Sequence, residues 1–374
     1  MGENEMLNAC VRFVKKNTVL AIAMAAALIT MCIVPPDAAY AGYLDLKTLT
    51  CLFCVLAVVC ALKNVRFFTF LARKIVQLTG NARMAILALV YITFIGSMLI
   101  ANDMALLTFL PLGYYVLAAT GQMKYLAFTF IMQNIAANLG GMLTPFGNPQ
   151  NLYLYTRFSI PNGEFVSIMW PPFALAVVLI TVCCLFVRGE KLSLARDESP
   201  APPRGRTAIY LLLFALAIVI VFRAIPYWIG LIVIPAALLI LDRKALKQVD
   251  YALLFTFVCF FLFAGNMARI PAVRSFFSAA LEKSTLLMSA ASCQVISNVP
   301  TAILLSQFTD NYRELLWGVN IGGTGTLIAS LASLITFREY TRIYPGRAGY
   351  YIARFSAFNF GFLAVMLLFC QLLR

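Results

Sequence analysis

The sequence predicts an all-α polytopic membrane protein built from two inverted-topology repeats, each with a re-entrant hairpin and a broken, partly unwound transmembrane helix. Three observations lead there. Hydrophobic residues make up 62% of the chain and charged residues only 12%, well below the roughly one quarter of a soluble globule. Apolar runs long enough for a bilayer core of about 30 Å, which takes about 20 helical residues, recur along the whole length. Two stretches rich in Gly, Pro, Asn and Ser interrupt apolar sequence where unpaired backbone is most costly, and they resemble one another.

In chain order, Arg12, Lys15 and Lys16 precede a first apolar run over 18–34, expected to be an uncleaved helix that sets orientation. Further continuous runs cover 46–62, 166–187, 208–224, 226–242, 251–265 and 349–372. Residues 84–158 and 284–338 are apolar but broken. In each the chain is expected to dip in and return as a hairpin, with tips near 101–104 and 296–300. It then crosses as a helix with an unwound middle, over 124–158 and 312–338. This threading gives about nine full crossings plus two hairpins. "VRFFTFLARK" and "VRSFFSAALEK" look like interfacial amphipathic helices before the two hairpins.

The charges support the threading. With the N-terminus cytoplasmic, only Lys47, Arg157, Arg223, Arg269, Arg274, Lys283, Arg313 and Arg374 of the 29 Lys and Arg residues fall outside. The net charge of +14 therefore reads as a topology signal, with no nucleic-acid partner expected. The first repeat is expected over 1–187, a cytoplasmic linker and linking span over 188–225, and the second repeat over 226–374. The linker contains the Pro-rich, charged "RDESPAPPRGR".

The repeat is also readable as an alignment. "NLGGMLTPFGNPQNL" from Asn138 matches "NIGGTGTLIASLASL" from Asn320 without gaps. Asn138/Asn320, Gly140/Gly322, Gly141/Gly323, Thr144/Thr326 and Leu152/Leu334 are identical. Upstream, Ile100-Ala101-Asn102 matches Ile296-Ser297-Asn298.

Unwound segments have their own chemistry. A half-helix N-terminus presents N–H groups to an anion, and freed carbonyls can ligate a small cation. In the first break Pro145 and Pro149 remove donors, Gly147 permits close backbone approach, and Thr144 and Asn148 offer ligand atoms. In the second, Gly323, Gly325, Thr326, Ser330 and Ser333 would do equivalent work without proline. Asp103, at the first tip, is the only acidic residue in these unwound elements. It is expected either to hold Na⁺ or a proton, or to cap the helix that follows. The chain has no histidine, which excludes Ser/His hydrolysis and His-ligated zinc or haem. With Asp103 unpaired, a two-aspartate hydrolase is not expected either. No enzyme activity, catalytic residue or cofactor is expected, and the ten cysteines read as small core residues.

The paired motifs "AND" with "TPFGNPQN", and "ISNVP" with "NIGGTGTLIAS", resemble the ion transporter superfamily of divalent anion/sodium symporters, citrate transporters and arsenite permeases. The resemblance implies a secondary transporter of small anions coupled to Na⁺ or H⁺, homodimeric, in a bacterial cytoplasmic membrane and in contact with lipid. It implies substrate contacts from Asn102, Asn148, Asn151, Ser297, Asn298, Thr326 and Ser330. Cation coupling would involve Asn102, Asp103, Thr144, Gly147, Asn148, Asn298, Thr326 and Ala329, with no metal beyond Na⁺. Dicarboxylate carriers of this group show Ser-Asn-Thr at both tips. The Ala101-Asn102-Asp103 tip is closer to the arsenite permeases and related antiporters, so a metalloid oxyanion efflux permease or a Na⁺/H⁺ antiporter is the alternative.

Overall fold

The computed structural model describes residues 17–191 and 201–374. The basic residues Arg12, Lys15, Lys16 and Arg196, and the linker residues 192–200, lie outside them. Among the described residues the chain is almost wholly helical, with one isolated β-bridge between Asn81 and Lys191.

The continuous apolar runs fold as expected into α1 (Thr18–Ile33), α2 (Leu46–Asn64), α8 (Asn162–Leu185), α9 (Arg204–Val221), α10 (Tyr227–Leu241), α12 (Tyr251–Arg269) and α18 (Ala348–Leu372). Several starts are set by side-chain caps readable in the sequence. Asp45 accepts from Thr48 N at 2.9 Å, and Asp250 accepts from Leu253 N at 2.9 Å. The two amphipathic stretches form α3 (Phe67–Gln77) and α13 (Pro271–Lys283). On α3, Phe68, Ala72 and Val76 are buried at four-residue spacing while Leu71 and Ile75 are exposed. A short helix, α11 (Arg243–Gln248), leads into α12.

The first interrupted region forms α4 (Ala82–Ile100), α5 (Asn102–Ala119), α6 (Leu126–Gly140) and α7 (Pro149–Arg157). The second forms α14 (Thr285–Ile296), α15 (Asn298–Leu305), α16 (Tyr312–Ile321) and α17 (Leu331–Ile343). α4 packs along α6, and α14 packs along α16. The arms differ in length. α4, with 19 residues, is about 28 Å long and apolar enough to span a bilayer unaided, whereas the 12 residues of α14 reach only about 18 Å.

Seven of the described helices are long and apolar enough to cross a membrane, and α1, α10 and α14 are apolar but shorter. Outer helices keep large apolar side chains exposed, such as Val178 on α8, Leu212 on α9 and Leu368 on α18, as a lipid solvent allows. The centre is different. Every residue of α6 but Phe128 is buried, and some of its buried polar side chains bond to neighbours: Gln133 donates to Thr93 Oγ1 at 3.0 Å and to Phe109 O at 3.2 Å. Asn134 joins Asn359 of α18 and Thr336 of α17, both at 3.4 Å. Cys51, Cys54, Cys60, Cys184, Cys293 and Cys370 are buried in the apolar core as expected, whereas Cys183 and Cys259 are half-buried and Cys32 is exposed.

Candidate functional site

Each interrupted region begins with the same turn. Ala101 has φ 66° and ψ 153°, and Ser297 has φ 73° and ψ 160°. A side chain at positive φ costs roughly 1–3 kcal/mol, so adopting it twice at matching positions marks a turn that the surrounding structure enforces. Asn102 and Asn298 follow, both 4% exposed, and each accepts the next residue's N–H at 2.9 Å through its side-chain oxygen. The helix after the first turn starts at Asn102, and no side chain caps it. Asp103 therefore does not serve as the cap that one reading of the sequence expected. Its Oδ1 is buried without a hydrogen-bond partner and faces a cavity also lined by Ala101, Phe146, Pro149, Leu331 and Asp250.

The breaks between α6 and α7 and between α16 and α17 hold matching positions against the hairpin arms. Thr144 Oγ1 donates to Met98 O at 2.7 Å, and Thr326 Oγ1 donates to Gln294 O at 3.1 Å. Met98 and Gln294 each stand four residues before their tip asparagine. Gly140 lies on Phe94 and Ser97, and Gly322 on Ala290 and Cys293, again matching positions. No side chain fits at either contact.

The freed carbonyls are braced differently. In the first break Asn151, on α7, donates to Gly141 O at 3.2 Å, Met142 O at 3.1 Å and Thr144 O at 3.4 Å. In the second, Gln294, on α14, donates to Gly322 O at 2.9 Å and Thr324 O at 3.1 Å, and accepts from Thr326 N at 2.8 Å. Gly325, at φ 116°, lies directly over the Gln294 amide. At the position matching Asn151, Ser333 has a buried hydroxyl with no partner.

The two breaks meet. Asn138 Oδ1 accepts from Ser330 Oγ at 2.8 Å and from Asn102 Nδ2 at 3.2 Å. Asn320 Oδ1 accepts from Asn148 Nδ2 at 3.1 Å and Gln150 Nε2 at 3.4 Å, while Asn320 Nδ2 donates to Asn151 Oδ1 at 2.6 Å. Asn138 pairs with Ser330 just as Asn320 pairs with Asn148, so the junction is a reciprocal exchange between the two regions. It is not closed. Asn138 Nδ2, Asn148 Oδ1 and Gln150 Oε1 are buried without partners. Each such group costs about 1–3 kcal/mol if nothing fills it. Together they present a donor and two acceptors, a set suited to an anion oxygen and a small cation.

Most residues picked out in the sequence thus converge. Asn102, Asn148 and Ser330 share the junction, and Asn298 closes on the second break by donating its N–H to Ala329 O at 3.0 Å. Ala329 O also accepts from Ser297 Oγ at 3.3 Å. Gly147 packs on Gly141 and Thr144 beside the Asn148 side chain. Three assignments read differently in space. Asn151, Thr144 and Thr326 spend their donors on backbone carbonyls, so their first task is to hold the breaks in shape. Sequence reasoning missed Asn138 and Asn320 as site residues although it aligned them, and it missed Gln150, Gln294 and Asp250. Only Gln294, the one amide side chain inside its otherwise small and apolar arm, carried a local signal.

A family model described as citrate transporter matches residues 9–312. An uncharacterized transporter of Methanocaldococcus jannaschii is 31% identical over 293 residues, which is 78% of this chain and 80% of that protein. The inner membrane protein YbiR of Escherichia coli is 30% identical over 288 residues, 73% of this chain and 74% of that one. The silicon efflux transporter LSI3 of Oryza sativa is 26% identical over 162 residues, 42% of this chain and 33% of its own length.

Proposed function

The chain belongs to the citrate transporter family and is a transporter rather than an enzyme, and from that premise we propose that it carries small anions by ion-coupled alternating access. The substrate is a dicarboxylate, citrate or an inorganic oxyanion, and the coupling ion is Na⁺ or H⁺. The two interrupted regions act as inverted repeats, each a re-entrant hairpin followed by a broken helix. The observation that carries this reading is the reciprocal junction of Asn138, Asn148, Asn320 and Ser330, with its unpartnered buried atoms at the meeting of two helix breaks. Asn102, Asn148, Asn298 and Ser330 contact the anion, with Ser297, Thr326 and Asn151 shaping its pocket. The cation sits by Asn148, Thr144 and Gly147 in the first half and by Asn298, Thr326 and Ala329 in the second.

A second reading, an efflux permease for a metalloid oxyanion or a Na⁺/H⁺ antiporter, draws on Asp103. Its buried, unpartnered oxygen faces the same cavity as the exposed Asp250, so a cation or proton has a carboxylate at each end of one path. Under either reading the protein sits in a bacterial cytoplasmic membrane, N-terminus inside, as a homodimer.

A thermal-shift screen of the purified protein against dicarboxylates, citrate, sulfate, phosphate and arsenite, with and without Na⁺, tests the assignment. A midpoint raised by one of these anions, more so with Na⁺, is expected for Na⁺-coupled anion transport. Indifference to every anion, together with Na⁺/H⁺ exchange in vesicles, would replace it with the antiporter reading. Asp103→Asn is expected to abolish cation dependence while leaving assembly intact, and wild-type coupling in that variant would remove Asp103 from the mechanism.

A further inference from the structure

A second cavity lies away from the junction, where the start of α2, the end of α7, α12 and the end of α15 come together. Its lining includes Lys47, Arg157, Tyr153, Gln307, Asp45 and Tyr43. We infer that this cavity is a docking site for a small anion with two or more acid oxygens, a vestibule one short helix away from the junction. The inference rests on the anion-transport reading and adds to it a second, separately placed site.

The charge arithmetic of the cavity supports it. Four other basic side chains are neutralised by acidic ones: Arg269 by Asp37 at 2.7 Å, Lys124 by Glu190 at 2.5 Å, Arg342 by Glu339 at 2.6 Å and Arg374 by Glu314 at 2.7 Å. Lys47 and Arg157 have no such partner among the described residues. Asp45, the one acid in the lining, is committed to the start of α2, where its two oxygens accept from Thr48 N at 2.9 Å and Thr48 Oγ1 at 2.6 Å. The N-terminus of α2 adds partial positive charge of its own. The cavity thus holds two cationic side chains against one carboxylate, a net positive charge. Arg157 brings a planar fork suited to a carboxylate or oxyanion, and Lys47 a point charge.

The neutral wall is fixed. Tyr153 is 2% exposed, and its hydroxyl is held by Ser306 Oγ at 2.8 Å and Gln307 Nε2 at 3.4 Å. Tyr43 lies flat on Gly265, and its hydroxyl accepts from Arg269 Nη1 at 3.2 Å, so the loop between α1 and α2 is fastened to the end of α12. α7 connects the two sites directly. It runs from the Asn148 break to Arg157 in nine residues, about 13 Å. The distribution of Lys and Arg puts this end outside, so a positive vestibule there raises the local anion concentration before the junction opens to it.

The test is binding of labelled citrate, with sulfate as competitor, to the full chain in phosphatidylcholine nanodiscs at constant ionic strength. Four proteins are compared: wild type, N148A, K47Q/R157Q and the triple variant. N148A is expected to retain a sulfate-sensitive component of citrate binding that the triple variant weakens by at least about tenfold, or about 1.4 kcal/mol. If N148A alone abolishes binding while K47Q/R157Q binds as wild type does, the vestibule is overturned and anion transport stands. If wild type binds neither anion, the vestibule is overturned, and the transport reading is decided separately by uptake of the other anions. A parallel set in discs containing phosphatidylglycerol separates a soluble anion from a lipid phosphate. Citrate binding that persists supports the proposal, and binding displaced by the anionic lipid overturns it.

Discussion

The two helix breaks reach one shape by different chemistry. The first, between α6 and α7, is bounded by Pro145 and Pro149 and braced by Asn151 from the helix that follows it. The second, between α16 and α17, has no proline, uses Gly325 at φ 116°, and is braced by Gln294 from the hairpin arm. Where one half has its amide the other has a residue that cannot replace it: Met98 stands at the place of Gln294, and Ser333 at that of Asn151. The location of the brace decides what moves together. Asn151 ties the first broken helix to itself, whereas Gln294 locks the second broken helix to its hairpin. The first hairpin is therefore held to its break by fewer hydrogen bonds than the second, and Asp103, whose Oδ1 has no partner, lies on that side.

The largest effect is expected from Gly325→Val, which puts a branched side chain at strained backbone and onto the Gln294 amide. A loss on the order of 3 kcal/mol or more is expected, read as collapse of the monodisperse peak in size-exclusion chromatography. Gln294→Met and Asn151→Ser each import the other half's residue and strip the carbonyls of a break. Each should lower the thermal midpoint, at a cost of roughly 2–4 kcal/mol for the carbonyls left bare. Adding Met98→Gln to Asn151→Ser should restore part of that loss by supplying the brace from the other side. No recovery would mean that the halves are not interchangeable. Asn148→Ala removes one junction donor together with an acceptor that has no partner. About 1 kcal/mol of stability is expected to be lost, together with the junction's share of anion-induced stabilisation. Ser333→Ala should be the mildest, within about 0.5 kcal/mol of wild type, because the hydroxyl bonds to nothing.

Much of the architecture was legible because a bilayer leaves few options. Continuous apolar runs became helices at nearly their expected limits, and Asp45, Asn81, Asp250 and Ser284 capped helix starts where the sequence offered them. The breaks were legible through Gly140/Gly322 and Thr144/Thr326, whose neighbours match in both halves. What the chain could not disclose was reciprocity. That Asn138 answers Ser330 and Asn320 answers Asn148 depends on how two distant segments cross, and no spacing encodes it. Nor could it disclose that Asn151 faces carbonyls rather than a ligand, since an asparagine suits both tasks equally. Asp250 caps the start of α12, and only the packing around α12 places it on the same cavity as Asp103.

The reciprocal junction is proposed to carry an anion across the membrane, driven by a cation gradient. The most direct measurement is uptake of labelled citrate, succinate, sulfate, phosphate and arsenite into proteoliposomes under an imposed Na⁺ or pH gradient, wild type beside Asn148→Ala. Gradient-dependent accumulation of at least one of these anions, lost in Asn148→Ala protein that still folds, is the predicted result. Accumulation that Asn148→Ala leaves unchanged, or no anion uptake under either gradient, would contradict the account.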